Sequence, residues 1–534
     1  MDRSTGLGPS ESYNMPAIAN PGTDLPLVWE QIRNCAGGMD AFSDPAELAP
    51  NASAKLVNVL IRDKAKARTR PGADGLGDAV LAAFPVKGLF YYDTPSYEQL
   101  IACCNQVFKH WNGSAWTTMS GWTPADARIA MAQGVDTVLL SDGTNNLRTW
   151  NGAAFTDCGA TSADPPKETT ILCWHTGRMF ASGKASAPDT IWVSNRLAFG
   201  AGQWNATTRS FRIGMGEGDP IRALKSFVGY TLAVGKENAV WLVETDPNNE
   251  PADFSAETLG EALSYGAGVC GPEAWDVYGN DIFMVSPDRQ IRTLRRMAAA
   301  AAQYELSAPI SQPMQPYIDR INAAAQNTIA VKKYQELILF AVPLDSATRP
   351  DHVLVYNGRL GQWIGVWTGW TPQHWEISRF SGQQRLVFGD VAGYVNEWKD
   401  NDDEETDATY LDNGAGYATS LYTRNLSFGD IEADKQAFNC RVRFNRGNAA
   451  LTFTAIGDDA DLKTWTRTFE PSGDVLGSDD LPFLLQSTSP TLVPSSLRDL
   501  PSFREMYLKI ESASGWWELR NLSVSARVRP MKTK

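Results

Sequence analysis

A repeated pattern of short apolar runs and tight turns constrains this chain more than any other feature of its sequence. Trp111 and Trp150 each begin the pattern Trp-Asn-Gly-x-x-aromatic, and a related Tyr-Asn-Gly begins at Tyr356. Asn-Gly between two apolar runs is a strong sequence signal for a β-hairpin. Weaker copies of the unit occupy residues 179–194, 231–243, 281–294 and 385–398. The units recur about every 40–50 residues, which is the length of a four-stranded propeller blade.

The repeats predict an all-β chain whose main domain is a β-propeller over residues 85–400, with about six to seven blades. A long assembly of several sheets without ring closure is the alternative architecture. Beyond residue 415, polar and apolar residues alternate in Arg441–Asn445 and Leu451–Ile456. This alternation predicts a C-terminal antiparallel β-sandwich over residues 415–534.

Four further segments complete the predicted organisation. Residues 1–34, rich in Pro, Gly, Ser and Asn, predict an extended N-terminal arm that becomes ordered on a partner. Residues 35–84 predict a turn-and-strand segment that joins the propeller. Alanine-rich runs predict a short helical insertion near 295–325, either a projecting partner contact or a linker between blades. Residues 401–414 predict an acidic linker, since Glu405 and Leu411 stand where a calcium loop needs Gly and Glu.

Composition limits the classes of protein that the chain can represent. Its 48 Lys and Arg against 61 Asp and Glu give a formal net charge of −13, which argues against DNA recognition through basic patches. The 18 Trp, 16 Tyr and 21 Phe among many turn-forming residues favour a β-rich fold. Neither a signal peptide nor a membrane-spanning run is evident. The seven scattered cysteines predict buried thiols in a protein made in a reducing cytoplasm.

No pattern of catalytic or metal-binding residues stands out in the sequence. The four histidines lack metal-ligand spacing, and neither a GxSxG elbow nor a phosphate-binding loop occurs. Asp142, Asp288 and Asp390 follow apolar runs, where Asp ordinarily serves turn geometry. A pair of glycosidase carboxylates stays open, because sequence alone does not show which two approach each other. We therefore expect no enzyme activity, no cofactor and no metal.

Two groups of motifs carry a resemblance to a known family. The first comprises these residues: Gly37, Gly38, Pro45, Asn51, Asn58, Arg68, Arg70, Pro71 and Gly72. The second comprises the segments Phe388–Val395, Leu411–Gly416 and Thr423–Gly429. Their order and spacing resemble those of the tail nozzle, or tail hub and head-to-tail stabilisation, proteins of short-tailed bacteriophages. The chain departs from the family in having Met39-Asp40 in place of Leu-Asn, and an acidic loop before Leu411.

The resemblance implies a virion protein of the phage tail that is synthesised in the host cytoplasm. It implies a homohexameric ring below the portal–adaptor complex, which closes the DNA channel until infection and carries attachment sites for tail fibres or spikes. Double-stranded DNA would pass without sequence-specific contacts, and an acidic channel wall would let it slide. Arg68, Arg70, Pro71 and Gly72 would fix the exit of the first strand.

Two other functions remain open at this stage. The chain could be a tail-associated protein that binds or cleaves glycans, stacking sugars on Trp116, Trp122, Trp363 or Trp370. It could instead be a non-viral propeller that contacts cytoplasmic partners through one face and stays monomeric. The N-terminal motif favours the phage-tail interpretation, because a free enzyme has no need for it.

Overall fold

A computed structural model of the chain describes residues 27–62, 65–205, 207–216, 218–250, 262–296, 304–400, 407–447, 449–458, 464–469, 491–497 and 500–529. Most of the predicted N-terminal arm, the alanine run at 297–303 and much of the acidic linker fall outside these residues.

Six short strands precede the propeller. They are β1 (Leu27–Ile32), β2 (Gly38–Met39), β3 (Ala52–Val57), β4 (Val59–Ile61), β5 (Ala67–Thr69) and β6 (Ala73–Gly75).

The propeller has seven blades of four antiparallel strands, and the strands of the first six blades follow one another along the chain. Blade 1 contains β7 (Val86–Asp93), β8 (Glu98–Cys104), β9 (Val107–Trp111) and β10 (Trp116–Thr118). Blade 2 contains β11 (Ala130–Gly134), β12 (Thr137–Ser141), β13 (Arg148–Trp150) and β14 (Phe155–Asp157). Blade 3 contains β15 (Ile171–His175), β16 (Arg178–Ser182), β17 (Thr190–Val193) and β18 (Ser210–Arg212). Blade 4 contains β19 (Ile221–Ser226), β20 (Thr231–Lys236), β21 (Ala239–Glu244) and β22 (Ser264–Tyr265).

Blade 5 contains β23 (Trp275–Tyr278), β24 (Asp281–Val285), β25 (Ile291–Arg296) and β26 (Tyr304–Leu306). The only α-helical turn among the described residues, α1 (Gln315–Ile318), lies with the 3₁₀ turns Gln312–Met314 and Ala323–Thr328 between blades 5 and 6. Blade 6 contains β27 (Ala330–Tyr334), β28 (Leu337–Val342), β29 (His352–Asn357) and β30 (Gln362–Thr368). Blade 7 contains β31 (His374–Ser378), β32 (Arg385–Gly389) and β33 (Val395–Trp398), and β6 supplies its outermost strand.

The blades close into a ring around an axis lined by their first strands. Contacts join β7 to β11, β11 to β15, β15 to β19, β23 to β27, β27 to β31 and β31 back to β7. An ion pair of 2.7 Å between Lys225 and Asp276 bridges β19 and β23. Pairing of β33 with β6 completes the last blade with a strand from far upstream in the chain. The predicted propeller is therefore confirmed, with seven blades.

The C-terminal strands form two packed sheets. They are β34 (Thr419–Thr423), β35 (Lys435–Gly447), β36 (Leu451–Gly457), β37 (Thr464–Phe469), β38 (Thr491–Ser496), β39 (Met506–Ser512) and β40 (Trp517–Val528). One sheet has the order β38-β35-β40-β5-β4, with β1 also paired to β40. The other continues from blade 6 through β30-β3-β34-β39-β36-β37. Both sheets contribute to one apolar core, in which Phe444 contacts Phe453.

The N-terminal strands are used differently from the predicted segment boundaries. Residues 27–32, placed at the end of an extended arm, are β1 and pair with β40 along their whole length. Within 35–84, β3, β4 and β5 belong to the sandwich sheets, and only β6 belongs to the propeller. At the predicted helical insertion, residues 291–296 and 304–306 are strands of blade 5, so the described helical turns begin at residue 312. Backbone pairing with distant strands decided the first two of these assignments, whereas the blade 5 strands pair with their neighbours in the chain.

Candidate functional site: the junction of propeller and sandwich

Arg70 lies at the centre of the joint between the propeller and the sandwich, and its side chain is fully buried. Its Nε donates to Asn58 Oδ1 at 3.1 Å. One terminal nitrogen donates to the Pro71 carbonyl and to Asp412 Oδ1, at 3.1 and 3.0 Å. The other donates to the Thr368 carbonyl at 3.0 Å and to Asp412 Oδ2 at 2.6 Å. All five guanidinium donors are therefore used, which is the condition for burying an arginine.

Asp412 neutralises this buried cation and ties three segments together. Besides its two bonds from Arg70, its Oδ1 accepts from the Trp370 indole at 2.9 Å and from the Ala73 amide at 3.0 Å. Trp370 follows blade 6, whereas Ala73 begins the strand that closes blade 7. The carboxylate thus fixes the closing strand of the propeller against the start of the sandwich.

Two aromatic rings lie against the Arg70 guanidinium group. Its central carbon lies 4.4 Å from the Trp370 ring centre and 4.0 Å from that of Tyr417. The Tyr417 hydroxyl donates to the Arg70 carbonyl, and burial raises the pKa of Tyr417 above its ordinary value. A desolvated cation between rings gains a cation–π contribution from each.

Asn58 connects β3 and β4 to this joint through its side-chain amide. It adopts φ +53°, a left-handed conformation that asparagine tolerates better than most residues. Besides the bond from Arg70, its Oδ1 accepts from the Thr368 amide at 2.8 Å. Its Nδ2 donates to Thr368 Oγ1 at 3.0 Å and to the Ala418 carbonyl at 2.8 Å. Asn58 therefore joins the outer strand of blade 6 to the segment before β34.

Gly72 lets two backbone segments approach closely beside the joint. A Cβ at this position would lie 2.0 Å from the Leu411 carbonyl oxygen. The Gly72 amide donates to the Thr409 carbonyl at 2.8 Å. Pro71, the preceding residue, offers its carbonyl to the Trp398 indole at 3.1 Å. The Pro-Gly part of the motif is therefore explained by packing against Trp398, Thr409 and Leu411.

The motif residues Gly37, Gly38 and Pro45 lie away from Arg70 and make other contacts. Gly38 adopts φ +67°, and a Cβ there would lie 2.1 Å from the Trp363 carbonyl oxygen of blade 6. Gly37 donates its amide to the Asn51 carbonyl at 3.1 Å, which joins the starts of the parallel strands β2 and β3. Pro45 accepts from the Asn425 amide of the sandwich at 2.9 Å. Arg68 lies in β5, between Leu60 of β4 and Glu518 of β40.

Two residues of the joint, Asp412 and Tyr417, were not singled out by the sequence analysis, and Trp370 was named there for a different role. Asp412 had been placed in a linker, although it stands in the Leu411–Gly416 motif. Trp370 and Trp363, proposed as exposed sugar platforms, are each only 2% exposed, so that prediction is wrong for both. Their indole nitrogens bond inside the protein, with that of Trp363 donating to the Ile310 carbonyl at 2.8 Å.

The axis of the propeller is crossed by a second polar cluster. Arg128 precedes β11, Glu273 precedes β23, and His374 begins β31, so blades 2, 5 and 7 each contribute one residue. Glu273 Oε1 lies 2.6 Å from Arg128 Nη2 and 2.8 Å from His374 Nδ1. Burial alone would raise the pKa of Glu273, but the charges and hydrogen bonds of His374 and Arg128 hold it well below its usual range. Because these blades are not neighbours, the contacts bridge the central channel.

A further pair of ionic contacts joins the inner strands of four blades. The Lys225–Asp276 ion pair lies near that of Lys332 with Glu376, whose charged atoms are 2.9 Å apart. The Lys333 amide also donates to Asp276 at 2.8 Å. Burial opposes the charge on Lys332, but the carboxylates of Glu376 and Asp276 outweigh it and raise its pKa. The carboxylates of this layer are therefore neutralised by lysines.

The aspartates expected to serve turns do so. Asp142 accepts from the amides of Thr144 and Asn145, and Asp390 from the amide of Ala392 at 2.9 Å. Asp288 accepts from the Gln290 amide at 3.2 Å. Among the described residues, no group of three or more His, Cys, Asp or Glu side chains could hold a metal ion. In the same part of the chain, no helix is long and apolar enough to cross a membrane.

Comparison with known proteins gives likeness at the level of solved structures only. No family model matches the chain, and no curated protein matches it in sequence. A computationally designed protein, Ika8, is 12% identical over 64% of this chain and 96% of its own, with a TM-score of 0.36. The β-propeller domain of Cps50 (Swd1) from Myceliophteria thermophila is 11% identical over 61% of this chain and 99% of its own, with a TM-score of 0.38.

Proposed function

We propose that the chain is a structural subunit of a short-tailed phage tail: a nozzle or hub protein that assembles as a homohexamer below the portal–adaptor complex. One observation carries this proposal. Residues of both motif groups that resemble the nozzle family, Asn58, Arg70–Gly72, Leu411 and Asp412, meet in the joint around the buried Arg70 side chain. These motifs lie far apart in the sequence, and together they form one rigid connection between the propeller and the sandwich.

The second motif group supports the same proposal at the other side of the sandwich. Arg424, within the motif Thr423–Gly429, lies 2.8 Å from Glu30 of β1. Its neighbour Asn425 bonds to Pro45 of the first motif group, as described above, and to Glu505 at 3.0 Å. A subunit that transmits load between a portal and a tail tip needs domains that do not swing apart. Buried polar connections of this kind provide that rigidity.

The closed propeller axis indicates where DNA would run. The Arg128–Glu273–His374 bridge spans the axis of a single subunit, so duplex DNA would pass between subunits around the ring axis. The net charge of −13 suits a wall along which DNA slides without sequence-specific contacts. Tail fibres or spikes would attach at the periphery of such a ring, and the protein would be found in the virion after synthesis in the host cytoplasm.

Docking on portal–adaptor particles tests the proposal. The full chain should bind such particles, and a variant lacking residues 2–26 should bind more weakly while keeping the circular dichroism of the parent. The deletion ends before Leu27 because β1 is paired within the sandwich. A deletion of residues 459–463, which follow β36 and precede β37 in the chain, serves as the control and should leave binding unchanged. Failure of the full chain to bind would reject the proposal.

A further inference from the structure

The sandwich sheet that contains β35 and β40 is rich in basic residues, although the formal net charge of the whole chain is −13. The acidic residues in the strands of this sheet are Glu30 and Glu518. Against them stand the basic residues Arg68, Lys435, Arg441, Arg443, Arg446, Arg520 and Arg527. The sheet therefore differs from the rest of the protein in the sign of its charge.

The alternation of β35 directs two of these arginines to solvent. Cys440, Val442 and Phe444 are buried in the sandwich core, whereas Arg441 and Arg443, which alternate with them, are exposed. Among the described residues, no carboxylate forms an ion pair with either arginine. We call the solvent side of this sheet, on which both arginines lie, the outer face.

The two acidic residues of the sheet leave the charge of Arg441 and Arg443 uncompensated. Glu30 alternates with exposed residues of β1, so it lies on the inner side of that strand, where it pairs with Arg424 at 2.8 Å. Glu518 lies 3.2 Å from Lys66 Nζ and opposite Arg68 in the neighbouring strand. The outer face therefore carries an excess of positive charge.

Aromatic rings orient two guanidinium groups on the outer face. The central carbon of Arg441 lies 4.9 Å from the ring centre of Trp29, and that of Arg527 lies 4.4 Å from the ring centre of Phe438. An arginine that stacks on a ring keeps its N–H groups available at the edge of the guanidinium plane. Binding of an anion would therefore cost little ordering of these side chains.

The middle of the outer face is polar rather than apolar. On the central strand β40, Asn521 and Ser523 lie opposite Arg443 and Arg441. Among the described residues of the sheet, the exposed large apolar side chains are confined to the edge strand β1. Interfaces between proteins usually have an apolar centre from which charged residues are depleted. A polar and strongly positive surface is instead typical of a nucleic-acid interface.

We propose that the outer face binds the phosphate backbone of duplex DNA through Arg441, Arg443, Arg527 and Arg529, without reading the base sequence. A guanidinium group can donate two parallel hydrogen bonds to one phosphate. The Trp29 ring is already in contact with Arg441, so the face favours contacts with the backbone over stacking of unpaired bases. The inference goes beyond the proposed tail function, and its test on the isolated protein does not require tail assembly.

Fluorescence anisotropy of a labelled DNA duplex, titrated with the full-length protein, tests this inference. Four phosphate contacts predict that the affinity falls about 100-fold when the salt concentration rises from about 50 to about 200 mM. A duplex of unrelated sequence should bind equally well. A single strand of the same length should bind more weakly, because its charge density is lower.

The double variant Arg441→Gln/Arg443→Gln should weaken duplex binding by about tenfold or more at the lower salt concentration and roughly halve the salt dependence. Arg441→Lys/Arg443→Lys, which keeps both charges, should retain the salt dependence of the parent. Arg222→Gln/Arg320→Gln is the matched control, because it removes the same charge from arginines that are 43% and 45% exposed. This control should bind like the parent, and circular dichroism checks that all variants are folded.

Three results would overturn the inference. The first is no duplex binding at the lower salt concentration, or binding that does not change with salt. The second is an equal loss of affinity in Arg441→Gln/Arg443→Gln and in the control. The third is binding of single-stranded DNA or of poly-L-glutamate as tight as that of the duplex, which would assign the outer face to unpaired bases or to an acidic protein.

Discussion

Replacing Arg70 by methionine should lower the free energy of unfolding by about 3–5 kcal/mol, because it breaks a buried ion pair while preserving most of the side-chain volume. The structure indicates the origin of this magnitude. Asp412, only 18% exposed, would retain two neutral donors, the Trp370 indole and the Ala73 amide, but would lose its cation. The carbonyls of Pro71 and Thr368 would lose a donor as well.

Guanidinium denaturation, followed by tryptophan fluorescence and circular dichroism, measures this loss. Arg320→Met is the control, because Arg320 makes the same two-bonded contact with Asp345, at 2.9 and 2.7 Å. There the side chains are 45% and 59% exposed, so the denaturation midpoint should hardly change. Equal midpoints for Arg70→Met and the parent protein, or equal shifts in Arg70→Met and Arg320→Met, would refute the assignment of Arg70 as the central connection.

Three other outcomes are expected. Gly72→Ala should destabilise the protein, because the added Cβ would lie 2.0 Å from the Leu411 carbonyl oxygen. Gly200→Ala is the control, because its Cβ would meet no atom within 4 Å, and the midpoints of thermal unfolding of the two variants are compared. The pKa of Glu273 is lower in the folded protein than its ordinary value of about 4.5, so the charged carboxylate stabilises the fold. This stabilisation is fully present above pH 4.5 and is lost as the pH falls toward the folded pKa. The difference in unfolding free energy between the parent and Glu273→Gln should therefore shrink in acid, and a difference independent of pH would contradict this. All seven cysteines are buried, and burial raises the pKa of Cys440 to about 12, so a thiol reagent should label them only after denaturation. Rapid labelling of the native protein would contradict their burial.

The repeats made the propeller predictable because each hairpin is specified locally. Trp111 and Trp150, aligned in the sequence, both end the third strand of their blades. In the following turns, Asn112 and Asn151 accept hydrogen bonds from the amides two and three residues later. Asn357, the last residue of the third strand of blade 6, does the same. Such turns depend on a few adjacent residues, so the pattern survives in the sequence.

The closure of the ring and the make-up of the sandwich were not predictable in the same way. The partners of β33 and β34 include β6 and β3, which lie more than 300 residues upstream. Short strands carry no local mark that identifies such distant partners. The sequence therefore predicted a sandwich from the C-terminal strands alone, whereas β1, β3, β4 and β5 also belong to its sheets.

At the joint between propeller and sandwich, the motif residues were predictable from the sequence, but their distant partner was not. The motif residues Asn58, Arg70 and Gly72 were predicted to be structural, and they lie in a buried connection. Asp412, the partner of Arg70, looked like part of a charged loop in the sequence. Its environment in the fold comes from contacts with Arg70 and Ala73, which lie far upstream in the chain. A buried arginine requires a carboxylate, but the sequence offers 61 acidic residues and does not say which one.

Electron microscopy of the purified protein, with its mass measured in solution and on portal–adaptor particles, tests the central proposal most directly. The proposal predicts sixfold rings with a central channel, formed by the protein alone or on the particles. In such rings the DNA path would lie between subunits, because the axis of each propeller is bridged by Glu273 and its partners. Elongated trimers, or monomers that persist when the particles are present, would contradict it.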